Sequence, residues 1–147
     1  TIIHLIPART RFPDEQTLVD RIPFLLFVVL KIEGRRQGFQ VFLNILTNAV
    51  QAVLSAHPEA TPPTGLIEII TLKAINWVEV RITDNGSGMD EATRKRIFEP
   101  FFSTKPVGEG TGLGMAICYS IIEQHRGTIK VLSEKGQGTT IVIALPI

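Results

Sequence analysis

Two asparagines, Asn44 and Asn48, stand four residues apart, and an aspartate opens the run Asp84-Asn85-Gly86-Ser87-Gly88-Met89. A second glycine cluster follows, Gly108-Glu109-Gly110-Thr111-Gly112-Leu113-Gly114, with Ile97-Phe98-Glu99-Pro100-Phe101-Phe102-Ser103-Thr104-Lys105 between the two. Each type suits one part of nucleotide chemistry. A carboxylate at a strand end accepts a hydrogen bond from an exocyclic amine, which adenine offers; guanine has a carbonyl at that position. Amide oxygens are neutral, hard ligands that suit Mg²⁺ beside phosphate oxygens. Dense glycine lets backbone approach a ligand and adopt positive φ. The second cluster runs straight into an apolar helical pattern, where free N–H groups and the helix dipole favour phosphate. An acid, a phosphate cradle and an intervening loop suggest a nucleotide pocket under a lid.

Each feature also has a plainer reading. Asp84 taken alone is an Asp-Asn-Gly turn. The paired asparagines could bond nearby loop backbone, and both readings stay open on these residues alone. The second cluster could be a surface linker, but its passage into Leu113, Met115, Ala116, Ile117, Ile121 and Ile122 argues against that. It matches neither the P-loop nor the dinucleotide fingerprint. Phe98, Phe101 and Phe102 could form a small core cluster, or anchor a lid whose Lys105 reaches a phosphate. His4, His57 and His125 are weak leads, His125 having a helix-dipole explanation. Cys118 reads as a core residue.

The elements that must position these groups are legible from residue 39 onward. Val41, Leu43, Ile45, Leu46, Val50, Val53 and Leu54 recur at roughly helical spacing up to Ala56, which puts Asn44 and Asn48 on one face. Gly34-Arg35-Arg36-Gln37-Gly38 reads as a turn, and Pro58 to Gly65 as a loop. Leu66–Ala74 and Trp77–Thr83 read as strands reversing at Ile75-Asn76, the second alternating Val78, Val80 and Ile82 with polar residues. Asp90 to Ile97 reads as a short helix with Asp90 as N-cap. Leu113 to His125 reads as a helix ended by Gly127. Thr128–Ser133 and Thr139–Leu145 read as strands. Ile2–Ile6 suggests a short strand, Pro7 to Asp14 a loop, and Leu18 to Ile32 is apolar without a clear period. The expected fold is α/β: a two-layer sandwich, with helices on one face of a mixed, mostly antiparallel sheet.

Bulk properties narrow the partners. The chain has 147 residues, enough for one domain with a real core. Its 15 basic and 14 acidic residues nearly cancel, so nothing points to nucleic acid or an anionic membrane. One cysteine excludes an internal disulfide and fits a reducing compartment. The most apolar run, Ile22 to Ile32, is too short to span a bilayer and is broken by Pro23 and Lys31. No signal peptide is expected at the start.

Taken in order, the motifs resemble those of sensor histidine kinases. Asn44-Ile45-Leu46-Thr47-Asn48-Ala49-Val50-Gln51-Ala52 resembles the N box. Asp84 to Met89 resembles the first glycine box, Phe98 to Lys105 the F box, and Gly110-Thr111-Gly112-Leu113-Gly114 the second glycine box. Gly136-Gln137-Gly138-Thr139-Thr140 resembles the glycine turn before the last strand. The resemblance covers 39–147 within a single domain of 1–147; residues 1–38 match poorly. It is to the catalytic, ATP-binding domain of two-component kinases, in the superfamily shared with gyrase, MutL and the heat-shock chaperone ATPases. It implies their Bergerat-type sandwich, with a lid at about 89–112. The F box is similar to that of nitrogen-regulation sensors.

The resemblance also implies roles. Asp84 bonds the adenine amino group, with Gly88 and Thr139 helping through ordered water, and Gly86 and Met89 are further nucleotide-binding residues. Asn48 ligates Mg²⁺ and Asn44 assists at the phosphates. Gly110, Thr111, Gly112, Leu113 and Gly114 cradle phosphate, and Lys105 meets the terminal one. The expected activity is transfer of the ATP γ-phosphate to a histidine on a separate dimerisation domain. A response regulator is an indirect partner, and no direct membrane contact is expected. The expected location is the cytoplasm, or the cytoplasmic part of a membrane-anchored sensor. The ATPase branches place a Glu where Asn44 stands, as general base for water; an amide cannot serve so. The phosphoacceptor histidine motif is missing from this sequence. Gln51 stands where many relatives have a basic residue, which weakens phosphate binding or shifts that task to Lys105. The alternatives are a superfamily ATPase module that drives a conformational change, and a non-catalytic partner-binding domain.

Overall fold

The computed structural model describes residues 2–5, 35–56, 65–106 and 110–147. The first long element is helix α1 (Arg35–Ala56). Its Val41, Phe42, Ile45, Ala49 and Val53 are buried, a stripe at helical spacing. The helix starts earlier than its glycines suggest: Arg35 to Gly38, expected as a turn, is helical, and Gly38 is buried. An interior glycine costs about 1 kcal/mol. Burying Val41 and Phe42 on the next turn gains about 1.5–3 kcal/mol each, so packing decides. Over Arg36–Ala56 this helix is apolar and long enough to cross a membrane by length and composition. Here that apolar stripe is the cover of a sheet.

Strand β1 (Ile2–Leu5) runs parallel to β2 (Leu66–Lys73). Strand β2 turns back through Ala74-Ile75-Asn76 into β3 (Trp77–Asp84), where the Ala74 N–H meets the Trp77 carbonyl at 2.8 Å. A six-residue helix α2 (Glu91–Arg96) follows, capped by the Asp90 carboxylate on the Thr93 N–H at 2.8 Å. Helix α3 (Gly114–Gln124) leads into β4 (Thr128–Glu134) and β5 (Gly138–Pro146). The sheet order is β1-β2-β3-β5-β4, with every pair but the first antiparallel. The expected sandwich, mixed and mostly antiparallel, is therefore observed.

The period of two sorts the strands into faces. Ile67 and Ile69 of β2, Val78, Val80 and Ile82 of β3, and Ile141, Ile143 and Leu145 of β5 form the core with the buried stripe of α1. Met115, Cys118, Ile121 and Ile122 of α3 complete it. The outer face carries polar pairs, among them Thr83 and Thr140, whose hydroxyls lie 3.0 Å apart. The inward alternation of β3 ends on Asp84, so the sheet puts a carboxylate where the next apolar side chain would be.

Helix α3 ends where Gly127 is expected to stop it, with His125 as its cap residue. Arg126, with φ 57°, takes the left-handed position, not Gly127. The Arg126 N–H bonds the Glu123 carbonyl and the Gly127 N–H bonds the Ile122 carbonyl, each at 2.9 Å, as in a Schellman end. Gly127 is needed for space: a Cβ there would lie 2.6 Å from the Ala144 carbonyl oxygen. The readings for Pro7–Asp14 and Leu18–Ile32, and most of the Pro58–Gly65 loop, lie outside the described residues.

Candidate nucleotide site

Asp84 is 7% exposed and the one buried charged side chain among the described residues. Its Oδ1 accepts from the Gly86 N–H at 2.9 Å, and the Thr139 N–H also bonds its carboxylate. Burial raises its pKa above the ordinary carboxylate value, and these two donors offset part of the rise. The register pairs Asp84 with Thr139 and Thr139 with Ser133, giving one polar row across β3, β5 and β4.

Backbone closeness fixes this row. Gly138 has φ 95°, and a Cβ there would meet the Asp84 carbonyl oxygen at 2.0 Å. Only glycine fits that conformation and that gap. Gly88 abuts the Glu134 carbonyl in the same way. The Ser133 hydroxyl accepts from the Met89 N–H at 2.9 Å and donates to the Gly138 carbonyl at 2.9 Å. Its one proton being spent, it accepts from the Thr139 hydroxyl at 2.9 Å. A cavity of about 470 Å³ opens at this end of the sheet, lined by Thr83, Asp84, Arg94, Leu132, Ser133, Gln137, Thr139 and Thr140 among others; Asn44, Asn48 and Lys105 do not line it.

A second group lies along α1. The Asn44 side-chain N–H₂ donates to the Gly114 carbonyl at 3.1 Å and reaches Cys118 Sγ at 3.7 Å. Asn48, one turn on, has its Oδ1 3.4 Å from the Lys105 ammonium. The same ammonium donates to Gln51 Oε1. Gly110 lies against Ser103 Oγ and the Lys105 side chain, and Gly112 (φ 65°) against the Phe101 backbone. Helix α3 begins at Gly114 with Leu113 as its cap residue and no side chain capping its first N–H groups. Thr111 stays exposed, its hydroxyl 3.4 Å from the Leu113 N–H.

Ala52, one turn beyond Asn48, joins the two groups. A Cβ on Gly86 would come 2.6 Å from the Ala52 carbonyl carbon, and the Ser87 N–H bonds the Ala52 carbonyl at 3.2 Å. Asp84, Gly86, Gly88, Met89 and Thr139 thus cluster at one end of a surface whose other end holds Asn44, Asn48, Lys105, Gly110, Gly112 and Gly114.

The three phenylalanines do not form the single cluster that was one option. Phe98 packs on Tyr119 with ring centroids 5.5 Å apart, and Phe102 lies under the Arg96 guanidinium at 4.3 Å. Phe101 is 78% exposed at φ 64°. Cys118 is fully buried, as expected, and burial pushes its thiol up to about 11. His125 caps α3 with Nδ1 2.7 Å from the Ile121 carbonyl oxygen. The sequence reading missed Ser133. Its signal was a polar residue on the inward side of β4, in step with Ile129 and Val131.

Residues 34–147 match the family described as histidine kinase-, DNA gyrase B-, and HSP90-like ATPase. The sensor histidine kinase ZraS of Escherichia coli is 40% identical over 108 residues, covering 74% of this chain and 21% of that protein. Sporulation kinase E of Bacillus subtilis is 44% identical over 110 residues, covering 74% and 13%. The E. coli signal transduction histidine-protein kinase AtoS is 46% identical over 109 residues, covering 74% and 16%. The chain spans about a fifth or less of the length of these three relatives. Among solved structures, a mycobacterial sensor histidine kinase, MprB, superposes with TM-score 0.63 at 30% identity, over 77% of this chain and 72% of that one. The catalytic domain of histidine kinase ThkA gives 0.62 at 30%, over 77% and 69%. The buried Asp84 and the two glycine clusters thus sit in a chain that belongs to the histidine kinase-, DNA gyrase B- and HSP90-like ATPase family and is homologous to the catalytic domains of sensor histidine kinases.

Proposed function

We propose that this chain binds Mg-ATP and delivers the γ-phosphate to a histidine on a separate dimerisation domain. The observation that carries the phosphotransfer reading is Asn44. An amide, donating to Gly114 at 3.1 Å, stands at the head of the cradle where a hydrolysing relative would hold a carboxylate. An amide cannot take a proton from water, so the site lacks a base there for hydrolysis. Among the described residues no group of three or more His, Cys, Asp or Glu side chains is placed to hold a metal ion by itself.

In this reading Asp84 accepts a hydrogen bond from the adenine amino group, and the free N–H groups at the start of α3 meet phosphate. Asn48 Oδ1 is the residue that would hold Mg²⁺. It is a neutral, hard oxygen that already faces a cation, the Lys105 ammonium at 3.4 Å. When bound, the metal supplies charge neutralisation at the phosphates. Lys105 stabilises the terminal phosphate, and Asn44 orients it. The acceptor histidine and, through it, a response regulator belong to other domains. On this reading the domain works in the cytoplasm, where ATP is available and the buried Cys118 stays reduced.

The test mixes the chain with a separate dimerisation domain and radiolabelled ATP. Acid-labile, base-stable label on the added histidine domain is expected, with little phosphate released to water. Multi-turnover hydrolysis at ordinary enzyme rates with no label on histidine would contradict the proposal.

A further inference from the structure

We infer that Gln51 is a positioning residue for Lys105, holding the loop's ammonium at the metal and phosphate end of the site; the phosphate part of this inference rests on the ATP reading above. Asn44, Asn48 and Gln51 follow one another along α1 at four and three residues, so they share a face. The helix carries no cation on this stretch: Arg35 and Arg36 are its only charged residues. The positive charge comes instead from the loop before α3. Lys105 is 57 residues from Asn48 and 54 from Gln51, yet its ammonium bonds both side-chain oxygens.

The three groups divide the work. Asn48 Oδ1 is one acceptor, at the long distance of 3.4 Å, and so holds the ammonium weakly. Gln51 Oε1 is the closer partner. The Lys105 backbone is held separately, its N–H on Ser103 Oγ at 3.1 Å. The lysine stem is otherwise exposed and flexible, and without Gln51 it would sample many rotamers. A neutral acceptor is the useful type here. A glutamate at 51 would cancel the charge, and a lysine or arginine would repel Lys105 from Asn48. The amide anchors the cation without neutralising it. An ammonium arriving from the loop also ties that loop to α1 at the point where terminal phosphates would lie. The loop and α1 are thereby coupled through a single charge.

The test uses the chain as it is, with two readouts. The first is the NMR signal of the Lys105 ammonium without nucleotide, in wild type and Gln51→Ala. The wild-type resonance should be resolved and slowly exchanging; in Gln51→Ala it should move to the position of free lysine. An unchanged signal overturns the inference, whatever the chain binds. The second is calorimetry with Mg²⁺ and a non-hydrolysable ATP analogue, and with ADP. Gln51→Ala should lose up to about tenfold in affinity for the triphosphate and little for ADP. Gln51→Ala/Lys105→Ala should be no weaker than Lys105→Ala, since the residues act as one unit. The exchanged pair Gln51→Lys/Lys105→Gln should bind the triphosphate better than Lys105→Gln. Additive losses, equal losses for ADP and triphosphate, or an exchanged pair no better than Lys105→Gln would overturn it. A wild type that binds no nucleotide overturns the ATP reading and the phosphate role of Lys105, while the NMR arm still decides whether Gln51 holds the ammonium.

Discussion

The Asn44 side-chain N–H₂ donates to the Gly114 carbonyl at 3.1 Å, tying the middle of α1 to the first residue of α3. That bond orients the amide by its N–H₂ group, which also reaches Cys118 Sγ at 3.7 Å. It also gives Asn44 a structural duty that an isosteric acid cannot perform. Asn44→Asp would set a carboxylate against the Gly114 carbonyl and Cys118 Sγ. The expected cost is about 1–3 kcal/mol of stability, read by denaturant unfolding near neutral pH, and smaller in acid where the side chain is protonated. A variant as stable as wild type at neutral pH would mean the amide orientation is not set by Gly114.

Asp84 makes a pH signature. Its folded-state pKa is raised, chiefly by burial, with Gly86 and Thr139 N–H groups pulling the other way. For an acid so shifted, the unfolded chain ionises first as pH rises. Stability associated with Asp84 is full below the unfolded pKa and declines until the raised folded pKa is passed. Asp84→Asn removes that dependence. The stability of the variant relative to wild type should therefore climb as pH rises from the ordinary carboxylate range toward neutrality, measured by urea unfolding across that window. A difference that falls with pH would show the carboxylate to be stabilised by its surroundings, and a flat one would show no net shift; either would contradict the raised pKa.

Much of this architecture is legible in the residues, for physical reasons that differ by element. The alternation of Val78, Val80 and Ile82 marks β3, because one strand face is buried and the other is not. Asp90 announces α2 because a cap is a local hydrogen bond. Helix α1 was misread at its start because Gly34 and Gly38 advertise a turn, while burial one turn later decides the matter. Gly127 marks the end of α3 in the sequence, but the left-handed position falls on Arg126, and the glycine is demanded by the nearby Ala144 carbonyl and not by φ. Asp84, Gly86 and Gly88 lie within one turn and could be read together. The Lys105 contact with Gln51 bridges 54 residues and leaves no local pattern. The separate settings of Phe98, Phe101 and Phe102 likewise depend on partners, Tyr119 and Arg96, that composition cannot pair.

Cys118 offers a probe of the same core. It is fully buried between α3 and α1, and its thiol is pushed up to about 11 by desolvation. A thiol of that pKa is almost wholly protonated at neutral pH and unreactive. A thiol-specific reagent should label the native chain only as fast as the core opens, and at full speed in denaturant. Rapid stoichiometric labelling of the native chain would contradict the packing of α3 on α1.

Whether Asp84 is the acceptor for the amino group of adenine is decided by one titration. Calorimetry with a non-hydrolysable ATP analogue and Mg²⁺ would compare wild type with Asp84→Asn. Saturable binding by wild type and a loss of about tenfold or more in the variant are expected, since an amide in place of the acid leaves a buried hydrogen bond unmatched. Equal affinity for the two proteins would remove Asp84 from the site and contradict its role as the adenine acceptor.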